Sequence, residues 1–296
     1  MTEFELIAKI QSILGPTGAP IGDDCAILDV PPGEKLLATV DMLVEGIHFR
    51  LEDADPLTLG RRALAINLSD IAAMGGTPRW CLCSLGLPIT SAFWERFYEG
   101  FYEGLAEMAR RHAVIVAGGN IARLPERMAI DITVLGSAKH PITRNGARPG
   151  DHLYVTGPLG RSAAGLRCLL SGNQTHPALV AAHRDPQPRI AEGKALVGVA
   201  TSMLDISDGL AQDLGHLCKG AALTSADIPI DAETRQAAAE LGLDALDLAL
   251  HGGEDYELLY TAPAGAPGIR IGTVTASGLT LDGHPLDPRG WDHFRP

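Results

Sequence analysis

Apolar residues recur at helical spacing through "EFELIAKIQSIL" (3–14), and the pattern then shifts to short alternating or wholly apolar runs bounded by turn residues. "KLLATVD" (35–41) reads as a strand that ends in an acid. Asp55-Pro56 opens a helix, with Asp as N-cap and Pro in the first turn, and Gly75-Gly76 stop it. "WCLCSLGL" (80–87) is a strand apolar on both faces. A long helix over 91–111 follows, with Phe93, Phe97, Phe101, Leu105 and Met108 on one side. Residues 113–120 and 128–138 are strands. "PITRNGARPGD" (141–151), with two prolines and two glycines, breaks the pattern and marks a boundary between domains at 1–140 and 149–296. The second half gives strands at 152–156, 202–206, 221–226, 255–261 and 269–275. Its helices fall at 161–171, 188–199, 209–218 and around 232–250. Alternating strands and helices throughout predict a layered α/β (α+β) protein of two domains.

Composition agrees with that division and removes several functions. At 296 residues the chain exceeds the usual size of a single core, and 46% hydrophobic content supplies two. No run of eighteen apolar residues predicts a membrane span. "MTEFELIAKI" carries early acids instead of a basic segment before an apolar one, so no signal peptide is expected. Five cysteines, an odd number without a Cys-x-x-Cys pair, point to a reducing cytoplasm. The formal net charge of −12 and the lack of a Lys/Arg-rich run argue against nucleic acid as a partner. A small phosphorylated substrate stays possible, provided metal ions or a few placed arginines offset the repulsion.

The candidate chemistry lies in the acids. Asp23 and Asp24 stand side by side in "GDDCAIL", just before an apolar run, where like charges repel unless water or a cation screens them. Asp41 closes a strand. Asp70 interrupts an apolar helix in "NLSDIAAMGG", an expensive place for an unpaired carboxylate. Asp205 and Asp208 flank a strand-to-helix junction in "LDISDGL", and Glu254 and Asp255 follow two glycines in "HGGEDYEL". Element ends beside Gly or Ser let backbone approach a ligand and expose helix N–H groups, which suits phosphate and metal chemistry. Singly, each acid also fits a turn, a cap or a strand end.

The order of these motifs resembles the thiamine-monophosphate kinase family, within the larger group of aminoimidazole-ribonucleotide-synthetase-like ATP-binding enzymes. The resemblance runs nearly end to end: "GDDCAIL", "TVDMLVEGIHF" (39–49), "NLSDIAAMGGTP" (67–78), "AGGN" (117–120), "TRNGARPGDHLYVTG" (143–157), "DISDGLAQDLGH" (205–216), "HGGEDYELL" (251–259) and "GWDHF" (290–294). It implies the two-domain fold of that group, a homodimer formed through the N-terminal halves, and transfer of the ATP γ-phosphoryl group to thiamine monophosphate with several Mg2+ ions. It further implies Asp23, Asp24, Thr39, Asp41, Asp70, Asn120, Asp205 and Asp208 as metal ligands. Gly119, Asn120, Arg144 and Ser207 would contact ATP, and His48, Glu254 and Trp291 the thiamine portion. The acceptor is itself an ionised phosphate oxygen, so neither a covalent nucleophile nor a general base is expected, and in-line displacement is. No G-x-x-x-x-G-K-[ST] loop is present, as in that family.

One position departs from the resemblance. The family's Gly-Gly-Asp-Thr is Gly118-Gly119-Asn120-Ile121 here. Asparagine brings a carbonyl oxygen and no charge, so either one metal binds more weakly or Asn120 serves the nucleotide by hydrogen bonding. The same departure admits a paralogue acting on another small phosphorylated substrate, or a weakly active nucleotide-binding regulator. The cysteines expected of selenophosphate synthetases and of the hydrogenase-maturation member are missing, and no EF-hand spacing is found.

Overall fold

Strand β1 (Lys35–Val44) pairs antiparallel with β4 (Ala129–Ala138). β4 pairs antiparallel with β2 (Thr77–Leu87), and β2 pairs parallel with β3 (Ile115–Arg123), giving a sheet ordered β1-β4-β2-β3. The computed structural model describes residues 3–18, 21, 25–88 and 91–291, the side chains of 3, 4 and 91–96 excepted. The chain divides into two units: 1–71 with 76–139, and 140–296 with the short segment 72–75. Asp23 and Asp24 lie outside the described residues.

Alternation decides which face of the first sheet is covered. Cys81, Cys83, Leu85 and Leu87 of β2 and Ile130, Ile132 and Val134 of β4 are buried on one face, on which helices α2 (Pro56–Ala73) and α3 (Ser91–Arg111) supply the apolar partners. These helices cross closely because glycines sit at the contact: a Cβ on Gly104 would stand 1.8 Å from the Leu57 carbonyl oxygen. Helix α1 (Glu3–Leu14) joins the same layer, with Lys9 Nζ donating to the Tyr98 hydroxyl at 3.3 Å. The other face differs. On the edge strand β1, Leu36, Val40 and Met42 are 53%, 57% and 52% exposed, and Trp80, Leu82 and Leu135 behind them are half-buried. The strand "WCLCSLGL" is therefore core on one side and partly open on the other.

Among the described residues the second unit carries seven strands: β5 (His152–Val155), β6 (Ser202–Asp205), β7 (Gly220–Leu223), β8 (Leu258–Ala262), β9 (Ile269–Val274), β10 (Gly278–Leu281) and β11 (His284–Pro285). Their order is β11-β10-β7-β9-β5-β8-β6, antiparallel except for the β10–β7 pair. Leu153, Val155, Leu204, Leu259 and Ile271 of the sheet pack with Leu210, Leu214 and Leu217 of helix α7 (Leu210–Leu217). A separate cluster joins helices α4 (Arg161–Ser171), α5 (Pro177–Arg184), α8 (Ala232–Glu240) and α9 (Ala245–His251) through Ala164, Cys168, Leu179, Ala237 and Leu248.

Sequence periodicity missed α5, β10 and β11 and ran several elements long. The expected helix over 188–199 is only α6 (Ile190–Ala195). The helical stretch around 232–250 is two helices, parted where Gly242 takes φ +67° and Asp244 caps α9 by accepting from the Leu246 N–H at 2.9 Å. The strand expected from 255 begins at Leu258, because the residues before it turn sharply: Gly253, Glu254 and Tyr256 have φ of +69°, +56° and +52°.

Candidate functional site

In the first unit the structure gives the awkward Asp70 a partner. Thr39 Oγ1 donates to Asp70 Oδ2 at 2.5 Å, from β1 to α2. Asp41 lies two residues along the same strand, and so projects from the same face as Thr39. Two of the sequence-predicted ligands thus meet, and a third, Asp41, shares the Thr39 side of the strand; all three offer oxygen only. Among the described residues no group of three His, Cys, Asp or Glu side chains is arranged to hold a metal ion.

Asn120 is not with them. It pairs with Ser84, which pairs with Asp131, which pairs with Met42, so the four form a row on the open face of the sheet. Asp41 belongs to the next row, with Ile132, Cys83 and Gly119, on the covered face. Gly119 is required by space: a Cβ there would stand 1.8 Å from the Cys83 carbonyl oxygen. His48 lies beyond β1, where its Nδ1 accepts from the Val44 N–H at 3.0 Å and its carbonyl accepts from Arg62 at 3.2 Å. An accepting Nδ1 puts the proton of neutral His48 on Nε2.

In the second unit four of the predicted residues lie on interlocked loops, and a fifth, Asp205, ends the strand that leads into them. Asp205 ends β6, buried, and Ser207 and Asp208 follow in the turn that enters α7. The Ser207 carbonyl accepts from the Glu254 N–H at 2.7 Å, and the Ile206 carbonyl from Tyr256 at 2.9 Å. The Asp208 carbonyl accepts from the Trp291 N–H at 3.1 Å. Gln212 on the first turns of α7 clasps both, its Nε2 lying 2.9 Å from Asp208 Oδ2 and 3.0 Å from the Trp291 carbonyl. Trp291 is 51% exposed beside this junction. Arg144 is exposed, and its neighbour Thr143 accepts from the Met203 N–H of β6 at 3.2 Å.

Three residues that the sequence left unremarked, or noted without a role, build this junction. Asp213 Oδ2 accepts the N–H groups of Ser207, Asp208 and Gly209, each at 3.1 Å, so the amides ahead of α7 are already taken up by the helix's own carboxylate. Burial, with Asp208 nearby, pushes Asp213 up to about 7. Its place in the first turn after "SDG" was the only signal for it. Asp255 is half-buried, accepts from the N–H groups of Gly160 (2.7 Å) and Ser162 (3.3 Å) at the start of α4, and is pushed up to about 7 by desolvation. His183 of α5 places Nδ1 3.2 Å from Glu254 Oε2 and 3.1 Å from Ser162 Oγ. Ser162 and Asp255 also line a cavity of about 310 Å³, together with Arg161, Asp185, Arg189 and Glu257. Arg189 and Glu257 form a two-point ion pair there, Nε to Oε2 at 2.8 Å and Nη2 to Oε1.

With the geometry in place, comparison with known proteins is informative. Residues 22–138 match the family described as AIR synthase related protein, N-terminal domain. Thiamine-monophosphate kinase of Escherichia coli (strain K12) is 40% identical to this chain, over 99% of the chain and 98% of the relative. The solved structure of AaThiL complexed with AMPPCP and TMP shares 36% identity and superposes with a TM-score of 0.84, over 99% of this chain and 97% of that one. Thiamine-monophosphate kinase from Stenotrophomonas maltophilia K279a gives the same TM-score, 0.84, at 32% identity over 97% of this chain and 98% of that one. Similarity at this level along the whole length means that the chain belongs to the thiamine-monophosphate kinase family, on the AIR synthase-like fold.

Proposed function

We propose that this protein transfers the terminal phosphoryl group of ATP to the phosphate of thiamine monophosphate, giving thiamine diphosphate and ADP. Full-length identity to named kinases supports the activity, and AaThiL with AMPPCP, an ATP analogue, and TMP supports the substrates. Within this chain, the observation that carries it is the interlocking of Ser207, Asp208, Glu254 and Trp291 through backbone hydrogen bonds. An acid beside an exposed indole suits an acceptor that carries a cationic ring. Trp291 offers its face to the thiazolium, and Glu254 balances its charge or accepts from the aminopyrimidine. His48 serves the same substrate through its Nε2–H. Gly119, Asn120, Arg144 and Ser207 serve ATP, Arg144 through its forked donors.

The donor chemistry of each unit fits Mg2+: Thr39, Asp41 and Asp70 in the first and Asp205 and Asp208 in the second offer only oxygens, with Asp23 and Asp24 added from the sequence. Bound Mg2+ supplies neutralisation of phosphate charge and alignment of the reacting oxygens. The acceptor oxygen is already ionised, so no side chain has to remove a proton. It displaces ADP in line at the γ-phosphorus, and the protein's part is to orient the two phosphates and exclude water. A second copy of the chain, covering the open apolar face of the first sheet, completes the protein as a homodimer. The five free cysteines accord with a cytoplasmic setting, and no described helix is long and apolar enough to cross a membrane.

Incubation with ATP, Mg2+ and thiamine monophosphate tests the activity by chromatographic detection of thiamine diphosphate and ADP in equal amounts. ADP without thiamine diphosphate, or equal turnover of unphosphorylated thiamine, would overturn it.

A further inference from the structure

Glu254 stands on an unusually constrained loop. Its backbone is left-handed at φ +56°, as is that of Tyr256 at +52°, a conformation that costs a non-glycine residue about 1 kcal/mol or more. The loop is tied from two sides. Its backbone donates to the carbonyls of Ile206 and Ser207, and the Asp255 carboxylate holds the first turn of α4 through the Gly160 and Ser162 N–H groups. The Glu254 side chain has its own tether. His183, 7% exposed on α5, brings Nδ1 to 3.2 Å from Glu254 Oε2. Ser162, buried on α4, places Oγ 3.1 Å from the same nitrogen.

The chemistry of the three groups fixes the direction of that tether. An ionised carboxylate only accepts, so the proton must reside on Nδ1 of His183, shared between Glu254 and the Ser162 oxygen. We propose that His183, seated by Ser162, is a positioning residue that fixes the Glu254 carboxylate for the cationic half of the acceptor substrate, and so sets acceptor affinity. This rests on the assignment of Glu254 to the acceptor made above. A carboxylate on a rotatable stem loses side-chain entropy when it meets a ligand, and a histidine that holds it beforehand removes part of that loss. Nothing in the tether concerns ATP, so its removal should separate the two substrates.

Steady-state kinetics of the full-length enzyme with each substrate varied, on His183→Leu, His183→Asn, Ser162→Ala and Glu254→Gln, provide the test. His183→Leu should raise the KM for thiamine monophosphate about tenfold and leave the KM for ATP unchanged. His183→Asn, which keeps a donor near the Nδ1 position, should recover most of that loss. Glu254→Gln should raise the same KM, and adding His183→Leu to it should cost little more. A rise in both KM values together, or none in either, would overturn the positioning role. An unchanged acceptor KM in Glu254→Gln would overturn the Glu254 assignment and the positioning role with it, whereas a Glu254 effect without a His183 effect would sink only the latter. Should His183→Leu fail to fold, nitrogen NMR of the ring in the wild-type protein, assigned by loss of the signal in His183→Asn, decides the matter. An Nδ1-protonated ring supports the tether, and an Nε2–H ring with bare Nδ1 excludes it.

Discussion

Thr39 and Asp70 are joined by a 2.5 Å hydrogen bond from a strand to a helix, thirty-one residues apart in sequence. The contact explains how an acid survives in an apolar helix, since a charged acceptor with a hydroxyl donor avoids the cost of an unsatisfied group. It also raises the question whether Asp70 is kept for the fold or for the reaction. Two substitutions separate the answers. Thr39→Val removes the donor and should destabilise the protein by about 1–3 kcal/mol in thermal or urea unfolding. Asp70→Asn keeps an acceptor for Thr39 and should unfold close to wild type, yet lose at least about tenfold in activity at fixed Mg2+. Wild-type activity in Asp70→Asn would confine this residue to the fold.

The apolar row Leu36, Val40 and Met42 on edge strand β1 is the exposed surface that most needs a partner. Val40→Glu puts a charge in the middle of it. In an isolated chain such a surface change should alter stability by no more than about 1 kcal/mol. Buried in a dimer, an unpaired carboxylate would be far more costly. Light scattering on a sizing column should therefore find the wild type at twice the chain mass and Val40→Glu at the chain mass, with unchanged circular dichroism. A monomeric wild type would remove the homodimer.

Asn120 sits in the row with Ser84, Asp131 and Met42, while Thr39 and Asp41 face the other way. That separation favours a nucleotide contact over a shared metal. Asn120→Asp adds a negative charge without adding a ligand to the Thr39–Asp41–Asp70 group. It should raise the KM for ATP several-fold through repulsion of the triphosphate, and leave the Mg2+ concentration for half-maximal rate as it was. A lower Mg2+ requirement would return residue 120 to the metal ligands.

The sequence revealed the fold where periodicity is strong and failed where a single residue's conformation decides. Helix α3 and strand β2 were read from their apolar spacing alone, because burial of one face sets both. Helix α5 was missed because "PALVAAHR" is only eight residues long, about two turns, too few for helical spacing to repeat. The strand before Leu258 was read too long because the left-handed turns at Glu254 and Tyr256 fall on residue types that give no warning of them. The site divides in the same way. Ser207, Asp208, Glu254 and Trp291 could be named from motif order, since each motif is local. Asp213, His183 and Ser162 could not, because their importance lies in which backbone amide or carboxylate they meet after folding.

Asp255 offers a test of a desolvated charge that needs no substrate. Half-buried beside the first turn of α4, its carboxyl is pushed up to about 7 by desolvation, against 3.8 for an ordinary aspartate. Between those values the native protein holds a proton that the unfolded chain has released. Stability must then fall as pH rises through this window, and the loss is complete above pH 7. Three pH units correspond to about 4 kcal/mol for a single group, and Asp213, also pushed up to about 7, titrates in the same window. Asp255→Asn mimics the protonated acid and keeps an acceptor for the Gly160 N–H. Its stability should therefore change with pH about half as steeply as that of the wild type between pH 4 and 7. The variant should be the more stable protein at pH 8 and close to wild type at pH 4. Urea unfolding at one-unit pH intervals, with a chelator present so that no metal binds Asp208, measures both slopes. Parallel curves for the two proteins would show that Asp255 is ionised throughout, and that its two amide donors outweigh its burial.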